Sequence, residues 1–356
     1  MIITAEINEI KYVTKLARKL DRFRLSALSQ ALATNASFEL EIDQQRVLSV
    51  SWWVSAKRTR SYPYARVYDT LASTGKKVTI IPIFKDEGAD GDRDFLQWDT
   101  VSLMSLLGVF VIIGYYASAK RSSGYKNKIT EQRFDTDYLR SRLKEVTECP
   151  SDPLRWNLSQ MEKVGQIGQK ALSAYGAISR ALKVQMHSAK SAQTRISQLM
   201  RGRDVFMALS RRLAERAQGR EIVTVQPKEK LGGTKAAITI QDKLGGKYFF
   251  TVDEASRLDS KVLLVEGKHT KENRLPSRED IKDGLLKMIV YTNLQNVLVD
   301  GKRMSVMPVL LLTTGPGFSS SDLSSDDTFE LVSAEAMANG FQVSVNNPRS
   351  QSLRTL

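Results

Sequence analysis

The sequence predicts a mixed α/β fold, because strand patterns and helix patterns alternate along both its first and its last third. In the last third, strands are predicted at 236–241, 247–255 and 261–269, followed by a helix at 277–293 and a strand at 304–314. The middle of the chain is mainly helical by composition. Apolar residues make up 42% of the 356 residues and charged residues 26%, which is typical of a folded protein of about two domains.

The first third begins with a predicted helix over 3–32, because apolar residues recur there at helical spacing. The elements after it are predicted as three strands, a helix and a strand, in this order: 37–43, 46–54, 76–84, about 97–107 and about 109–116. Residues 101–119 carry no charge and are long enough to cross a bilayer. Gly108, Gly114 and two serines interrupt them, so a buried helix followed by a buried strand is favoured over a membrane span.

The charge of the chain is +14 and it is concentrated in the middle. Residues 1–117 carry +2, residues 118–220 carry +12 and residues 221–356 carry 0. This distribution is expected of a protein with a polyanionic partner, although a set of solvated helix faces explains it as well.

Cysteine and histidine are scarce: the chain has Cys149, His187 and His269. A disulfide scaffold and a Cys/His zinc site are therefore excluded, and catalysis by a Cys–His or Ser–His pair is disfavoured. Carboxylates, lysines and a bound cation are the remaining catalytic groups. The first residues show no apolar signal segment, so a cytoplasmic protein is expected.

Three polar residues end two neighbouring strands of the last third. Glu266 and Lys268 are two positions apart and leave the same face of their strand, and a tight turn brings Asp253 back beside Glu266. Two such carboxylates can share Mg²⁺, and Lys268 can hold or deprotonate the attacking water and neutralise a phosphorane. The alternative is a surface hairpin in which Asp253 and Lys268 form a structural pair.

Asp253 and the motif Glu266-Gly267-Lys268, followed by a helix and a strand, resemble the PD-(D/E)XK nuclease superfamily. The resemblance implies a mixed sheet flanked by helices and magnesium-dependent cleavage of phosphodiesters, with Mn²⁺ as a substitute metal. It assigns Asp253 and Glu266 as metal ligands and Lys268 as the catalytic lysine. Val252 stands where the motif has proline, and Glu254 is the first ligand if the strand register slips by one.

Four further segments resemble bacterial type II restriction endonuclease-like proteins: YPYARVYDTL, IPIFKDEGADGDRDFLQWDT, VEGKHT and SREDIKDGLLKM. This wider resemblance implies a homodimer that cuts double-stranded DNA at a specific sequence. It also implies a DNA methyltransferase encoded nearby, with no direct contact between the two proteins.

Three regions are predicted on this basis. Residues 221–356 form the nuclease catalytic domain and residues 118–220 a basic helical region that grips phosphates. Residues 1–117 form an α/β region for DNA recognition, or a degenerate nuclease-like copy. Aromatic and basic residues interleaved between Trp52 and Tyr68 can stack on bases, although a partly buried strand with a basic rim explains them equally.

An acidic cluster in the first third is a rival site: Asp86, Glu87, Asp90, Asp92, Asp94 and Asp99. A solvated loop is the simpler interpretation, and a second metal site is the alternative. Two other functions also stay open. One is a DNA repair, junction-resolving or defence nuclease with the same chemistry, and the other is a non-catalytic DNA-binding protein.

Overall fold

The computed structural model describes residues 1–57, 62–150, 152–200, 234–242, 247–318, 323 and 326–346. The chain forms two compact units. The first unit combines Met1–Arg18 with Arg211–Leu356, and the second consists of Lys19–Ser210. The mixed α/β class that the sequence predicts is confirmed, because helices and mixed sheets occur in both units.

The predicted helix over 3–32 is wrong. The chain begins with strand β1 (Ile2–Ile7) of the first unit, along which exposed and buried residues alternate. In the second unit follow β2 (Arg22–Arg24), a 3₁₀ turn at Leu25–Ala27 and a short helix α1 (Leu28–Thr34). Apolar residues in this stretch lie three or four positions apart, which is the spacing of a helix, but they belong to different elements of the structure.

The next elements of the second unit are β3 (Ser37–Glu41), β4 (Val47–Trp52), α2 (Pro63–Leu71), β5 (Lys76–Pro82), β6 (Phe84–Asp86), β7 (Arg93–Phe95), α3 (Trp98–Leu106) and β8 (Val109–Gly114). Its main sheet has the order β2-β3-β4-β5-β8. Strands β4, β5 and β8 are parallel and joined through helices, whereas β3 is antiparallel to β4. The predicted strands at 37–43, 46–54 and 76–84 are therefore confirmed.

The uncharged stretch 101–119 contains the predicted helix and strand, as α3 and β8. Every residue of β8 is buried. Among the residues that the structure describes, no helix has both the length and the apolarity needed to cross a membrane.

The middle of the chain is less helical than predicted. A ribbon of two antiparallel strands, β9 (Tyr116–Arg121) and β10 (Ile129–Phe134), precedes its helices. The helices are α4 (Thr136–Glu148), α5 (Pro153–Leu182) and α6 (Ala189–Met200). The region boundary predicted after residue 117 falls inside β9, and the part of the predicted helical region at 201–220 lies outside the described residues.

The first unit continues with β11 (Thr234–Asp242), β12 (Lys247–Leu258), β13 (Lys261–His269), α7 (Arg278–Thr292), β14 (Gln295–Val299), β15 (Lys302–Arg303), β16 (Ser305–Thr313), α8 (Asp327–Asn339) and β17 (Gln342–Val345). These strands and β1 form one sheet in the order β15-β14-β1-β11-β12-β13-β16-β17. The strands and the helix predicted between 236 and 314 are confirmed. Residues 243–246, which connect β11 to β12, lie outside the described residues.

After Gly315 the chain forms α8 and β17, two elements for which the sequence gives no clear pattern. The Asp326 side chain accepts hydrogen bonds from the backbone N–H groups of Thr328 and Phe329, so the acidic start of this segment is a helix cap. Only three residues of α8 are buried, which is why its apolar pattern is weak.

The strand directions around β13 determine where the candidate site forms. Strands β11, β12 and β13 are antiparallel neighbours. Helix α7 and the strands β14 and β15 then follow, before β16 returns parallel to β13. Ile281, Leu285 and Ile289 form an apolar stripe along α7, and all three are at 0% exposure. Helix α7 therefore packs on the sheet beside the end of β13.

This topology differs from that of the second unit. The first unit has an antiparallel run of three strands, whereas in the second unit α2 separates β4 from a parallel β5. The two units therefore do not share the strand pattern that a degenerate copy requires.

Candidate active site

Asp253 and Glu266 lie side by side at neighbouring positions of β12 and β13. The antiparallel register pairs Glu254 with Val265, which brings the preceding Asp253 beside Glu266. The backbone N–H of Gly267 donates a hydrogen bond of 2.9 Å to Asp253 Oδ2. Glu266 is 1% exposed, while Asp253 is partly exposed. The two carboxylates that the sequence predicts to meet are therefore brought together.

Lys268 lies on the same face of β13 as Glu266, as predicted. Its Nζ is 3.0 Å from Glu266 Oε1 and 3.1 Å from Asp283 Oδ2. The ammonium group is therefore held between a carboxylate of the strand and a carboxylate of α7.

Lys287 is a second lysine of the site, and no motif in the sequence predicted it. Its Nζ donates a hydrogen bond of 2.7 Å to Glu266 Oε2. Asp283 and Lys287 are four residues apart on α7 and so lie on one side of the helix. The four-residue spacing of an acid and a lysine, in a helix between two core strands, is the sequence pattern that could have identified Asp283 and Lys287.

Electrostatics keeps Glu266 ionised in spite of its burial. Burial raises the pKa of the Glu266 carboxyl, but the nearby ammonium groups of Lys287 and Lys268 outweigh it and lower the pKa below its ordinary value. Burial likewise lowers the pKa of Lys287, and Glu266 and Asp253 reverse this and hold it well above the ordinary value. The cluster is therefore a set of charged groups that stabilise each other.

A glycine in α7 allows Lys268 to reach its position. A Cβ atom at Gly284 would lie 2.8 Å from Leu310 Cδ1 and 3.1 Å from Lys268 Cε. Both distances are shorter than an ordinary contact between carbon atoms. The helix can therefore approach β13 and β16 this closely only because residue 284 has no side chain.

Glu254 does not take the place of Asp253. It is paired with Val265 and is 8% exposed, and successive residues of a strand point to opposite faces. The geometry therefore groups Asp253, rather than Glu254, with Glu266 and Lys268.

The two carboxylates fit a magnesium ion with few protein ligands. Mg²⁺ commonly uses one or two carboxylates and completes its shell with water and substrate phosphate oxygens. Asp253 and Glu266 offer such a hard oxygen pair at one edge of the sheet. Among the described residues, no group of three or more His, Cys, Asp or Glu side chains is arranged to hold a metal, so any metal here depends on this pair.

The rival acidic cluster of the second unit is only partly the solvated loop that was expected. Asp90 and Asp92 are exposed, whereas the other four acids are buried: Asp86, Glu87, Asp94 and Asp99. Asp94 is 2% exposed. Its Oδ2 accepts a hydrogen bond of 2.6 Å from Ser55 Oγ, and its Oδ1 forms an ion pair of 2.7 Å with Lys57 Nζ. Glu87 Oε1 likewise lies 2.9 Å from Lys85 Nζ. Asp94 and Glu87 are therefore held in the interior by neighbouring lysines, which is typical of structural ion pairs.

The aromatic residues proposed to stack on bases are mostly in the core. Trp53 and Tyr68 are fully buried. Arg66 donates a hydrogen bond of 2.9 Å to the Trp52 carbonyl, and its guanidinium lies 4.5 Å from the centre of the Trp52 ring. Arg58 and Arg60 lie outside the described residues. The described part of this segment therefore supports a packing role.

Comparison of the chain with protein-family models, with curated proteins and with solved structures finds no match.

Proposed function

We propose that this protein is a divalent-metal-dependent endonuclease that hydrolyses phosphodiester bonds in double-stranded DNA. The observation that carries the proposal is the meeting of Asp253, Glu266 and Lys268 at the end of two adjacent strands. Helix α7 and the parallel strand β16, which follows it after β14 and β15, support the same proposal because a helix and a parallel strand are expected after the motif.

Asp253 and Glu266 would hold Mg²⁺, or Mn²⁺ in its place. Such an ion, when bound, supplies a Lewis acid for a phosphoryl oxygen and lowers the pKa of a bound water. Lys268 places a positive charge where the phosphorane develops, and Asp283 fixes that charge in position. Gly267 N–H orients the Asp253 carboxylate from the neighbouring strand.

The basic middle of the chain supports DNA as the substrate, because phosphate contacts dominate the affinity of DNA-binding proteins. The more specific part of the proposal is a type II restriction endonuclease that acts as a cytoplasmic homodimer beside a cognate methyltransferase. A two-fold symmetric enzyme is the simplest way to cut both strands of a symmetric site.

Cleavage of plasmid and phage DNA tests the activity and the type of nuclease together. Discrete fragments that reproduce between preparations support restriction. Nicking confined to junctions or damaged sites instead indicates the repair or junction-resolving alternative with the same chemistry. Removal of divalent ions with EDTA is expected to stop cleavage, and cleavage that continues in EDTA contradicts the metal-dependent proposal.

A non-catalytic DNA-binding protein is the second candidate, and one observation favours it. Both carboxylate oxygens of Glu266 are engaged by lysines, as in a structural ion-pair network that braces the sheet. This candidate expects salt-sensitive binding of DNA without cleavage in Mg²⁺ or Mn²⁺.

A further inference from the structure

The β9–β10 ribbon is an exposed and strongly basic element of the second unit. Residues 116–134 contain five basic side chains and one acid: Lys120, Arg121, Lys126, Lys128, Arg133 and Glu131. All of them except Lys128 are exposed, and Tyr125 in the connecting loop is 60% exposed. The ribbon therefore presents a net positive surface to solvent.

Three of these cations form no close ion pair, although Arg133 contributes, after Lys120, to lowering the pKa of the Glu131 carboxyl. Lys120 pairs with Glu131 at 2.7 Å, and Lys128 lies 3.5 Å from Glu87. Across the described ranges of the chain, no ion pair is formed by the other three, which are Arg121, Lys126 and Arg133. Their charge is therefore available to an anionic partner.

A β-bulge determines which side chain of β10 lies on the exposed face. Thr130 pairs with Lys120, and the register then shifts so that Arg133 is opposite Ser118. Glu131, within this shift, has a positive φ of 46°. The bulge places Arg133 on the face of Lys120, where a regular ladder would place Gln132.

The base of the ribbon is held rigidly. The rings of Tyr116 and Phe134 stack with their centres 4.4 Å apart. Gln132 accepts a hydrogen bond of 2.7 Å from Tyr175 of α5 and donates one of 2.9 Å to the Asp86 carbonyl. The bulge thus turns Gln132 inward as an anchor and leaves Arg133 outside.

We propose that this ribbon is a DNA-binding element that enters the major groove of double-stranded DNA. The proposal rests on the function proposed above and names the element that binds its substrate. The major groove of B-form DNA admits a two-stranded ribbon, and six residues per strand span about 20 Å. The basic side chains match the charge of the phosphates that line the groove. Double-stranded RNA is a poorer partner, because its major groove is too narrow for side chains to read.

The test measures the affinity of the full chain for a fluorescently labelled 30-base-pair duplex in Ca²⁺, over a series of salt concentrations. The ribbon variant combines Arg121→Ala, Lys126→Ala and Arg133→Ala. Its matched control combines Lys19→Ala, Lys261→Ala and Lys302→Ala, which remove the same charge from exposed positions outside the basic middle of the chain. Circular dichroism checks that all three proteins are folded.

The ribbon variant is expected to bind roughly 100-fold more weakly than the wild type, with the logarithmic salt slope reduced by about 0.9 for each lost phosphate contact. The control variant is expected to change the affinity by no more than about threefold. Equal losses in the two variants, or wild-type affinity in the ribbon variant, overturn the proposal.

The groove is tested with a duplex whose cytosines carry glucosylated hydroxymethyl groups, which project into the major groove. This DNA is expected to bind the wild type at least about tenfold more weakly, and a ligand of the minor groove is expected to have no such effect. Unchanged binding of the glucosylated duplex, or displacement of DNA by an RNA duplex at equal concentration, contradicts major-groove docking.

The ribbon proposal and the nuclease proposal fail in different ways. If the wild type cuts DNA and the ribbon variant binds DNA normally, the nuclease proposal stands and the ribbon proposal fails. If the wild type binds DNA through the ribbon but never cuts it, the ribbon proposal stands and the nuclease proposal fails. If the folded wild type has no affinity for DNA, both proposals fail.

Discussion

The ammonium nitrogen of Lys287 lies 2.7 Å from Glu266 Oε2, so a helix lysine holds the carboxylate that the E-x-K motif supplies. Lys268 holds the other oxygen of the same group at 3.0 Å. A carboxylate that is 1% exposed is thereby kept ionised by two cations. Lys287 accordingly competes for the oxygen that a metal ion would use.

Replacing Lys287 with glutamine tests this competition. The variant loses the ammonium group beside Glu266 Oε2, so we expect Ca²⁺ to bind roughly tenfold more tightly than to the wild type. Isothermal titration calorimetry measures the affinity without DNA or turnover. Asp253→Asn is the matched control and is expected to weaken Ca²⁺ binding instead. Unchanged or weaker binding to the Lys287 variant contradicts a shared oxygen.

Gly284→Ala tests whether the close approach of α7 positions Lys268. Alanine is the better helix former by about 1 kcal/mol, so a free site would become more stable. Here the new Cβ meets Leu310 and Lys268, and we expect no gain in the free energy of unfolding together with at least a tenfold loss of DNA cleavage.

Gly176→Ala in α5 is the control for that substitution. A Cβ at Gly176 would contact only Arg180 Nη1, at 3.7 Å, which is ordinary van der Waals contact. We expect this variant to be more stable by about 0.5–1 kcal/mol in urea unfolding and to keep its activity. The same response at both glycines would show that Gly284 has no positioning role.

Glu335 of α8 anchors the N-terminal segment of the first unit. It is 0% exposed and accepts hydrogen bonds from Tyr12 Oη and from the backbone N–H groups of Lys15 and Leu16. Glu335→Ala leaves these donors unsatisfied, and we expect it to lower the free energy of unfolding by about 2–4 kcal/mol. Glu330→Ala, at an exposed position of the same helix, is expected to change it by less than about 0.5 kcal/mol. Equal effects at the two positions would contradict the anchoring role.

The sequence predicts the core of the first unit well and its edges poorly. Glu266 and Lys268 follow an apolar strand two positions apart, so their common face follows from the strand period alone. The parallel pairing of β1 with β11 joins segments more than 200 residues apart, and no local pattern records it. That is why the first strand was mistaken for part of a helix.

The candidate site was predictable where its residues belong to one hairpin and not where a helix completes it. Asp283 and Lys287 join the site only because α7 packs over the end of β13, and Gly284 sets the depth of that packing. The sequence did not predict the exposed basic ribbon as strands, because the lysine, serine and alanine residues of β9 are not typical strand formers.

The central claim is that Asp253, Glu266 and Lys268 form a nuclease site. The most direct measurement compares plasmid cleavage in Mg²⁺ by the wild type with cleavage by three variants: Asp253→Asn, Glu266→Ala and Lys268→Ala. Because Glu266→Ala leaves two lysines without their partner, thermal unfolding and DNA binding in Ca²⁺ are measured on each variant to separate lost chemistry from lost folding. We expect discrete fragments from the wild type, and no cleavage by folded variants that still bind DNA. A wild type that binds DNA but leaves it intact in both Mg²⁺ and Mn²⁺, or an Asp253→Asn variant that cuts as fast as the wild type, would contradict the claim.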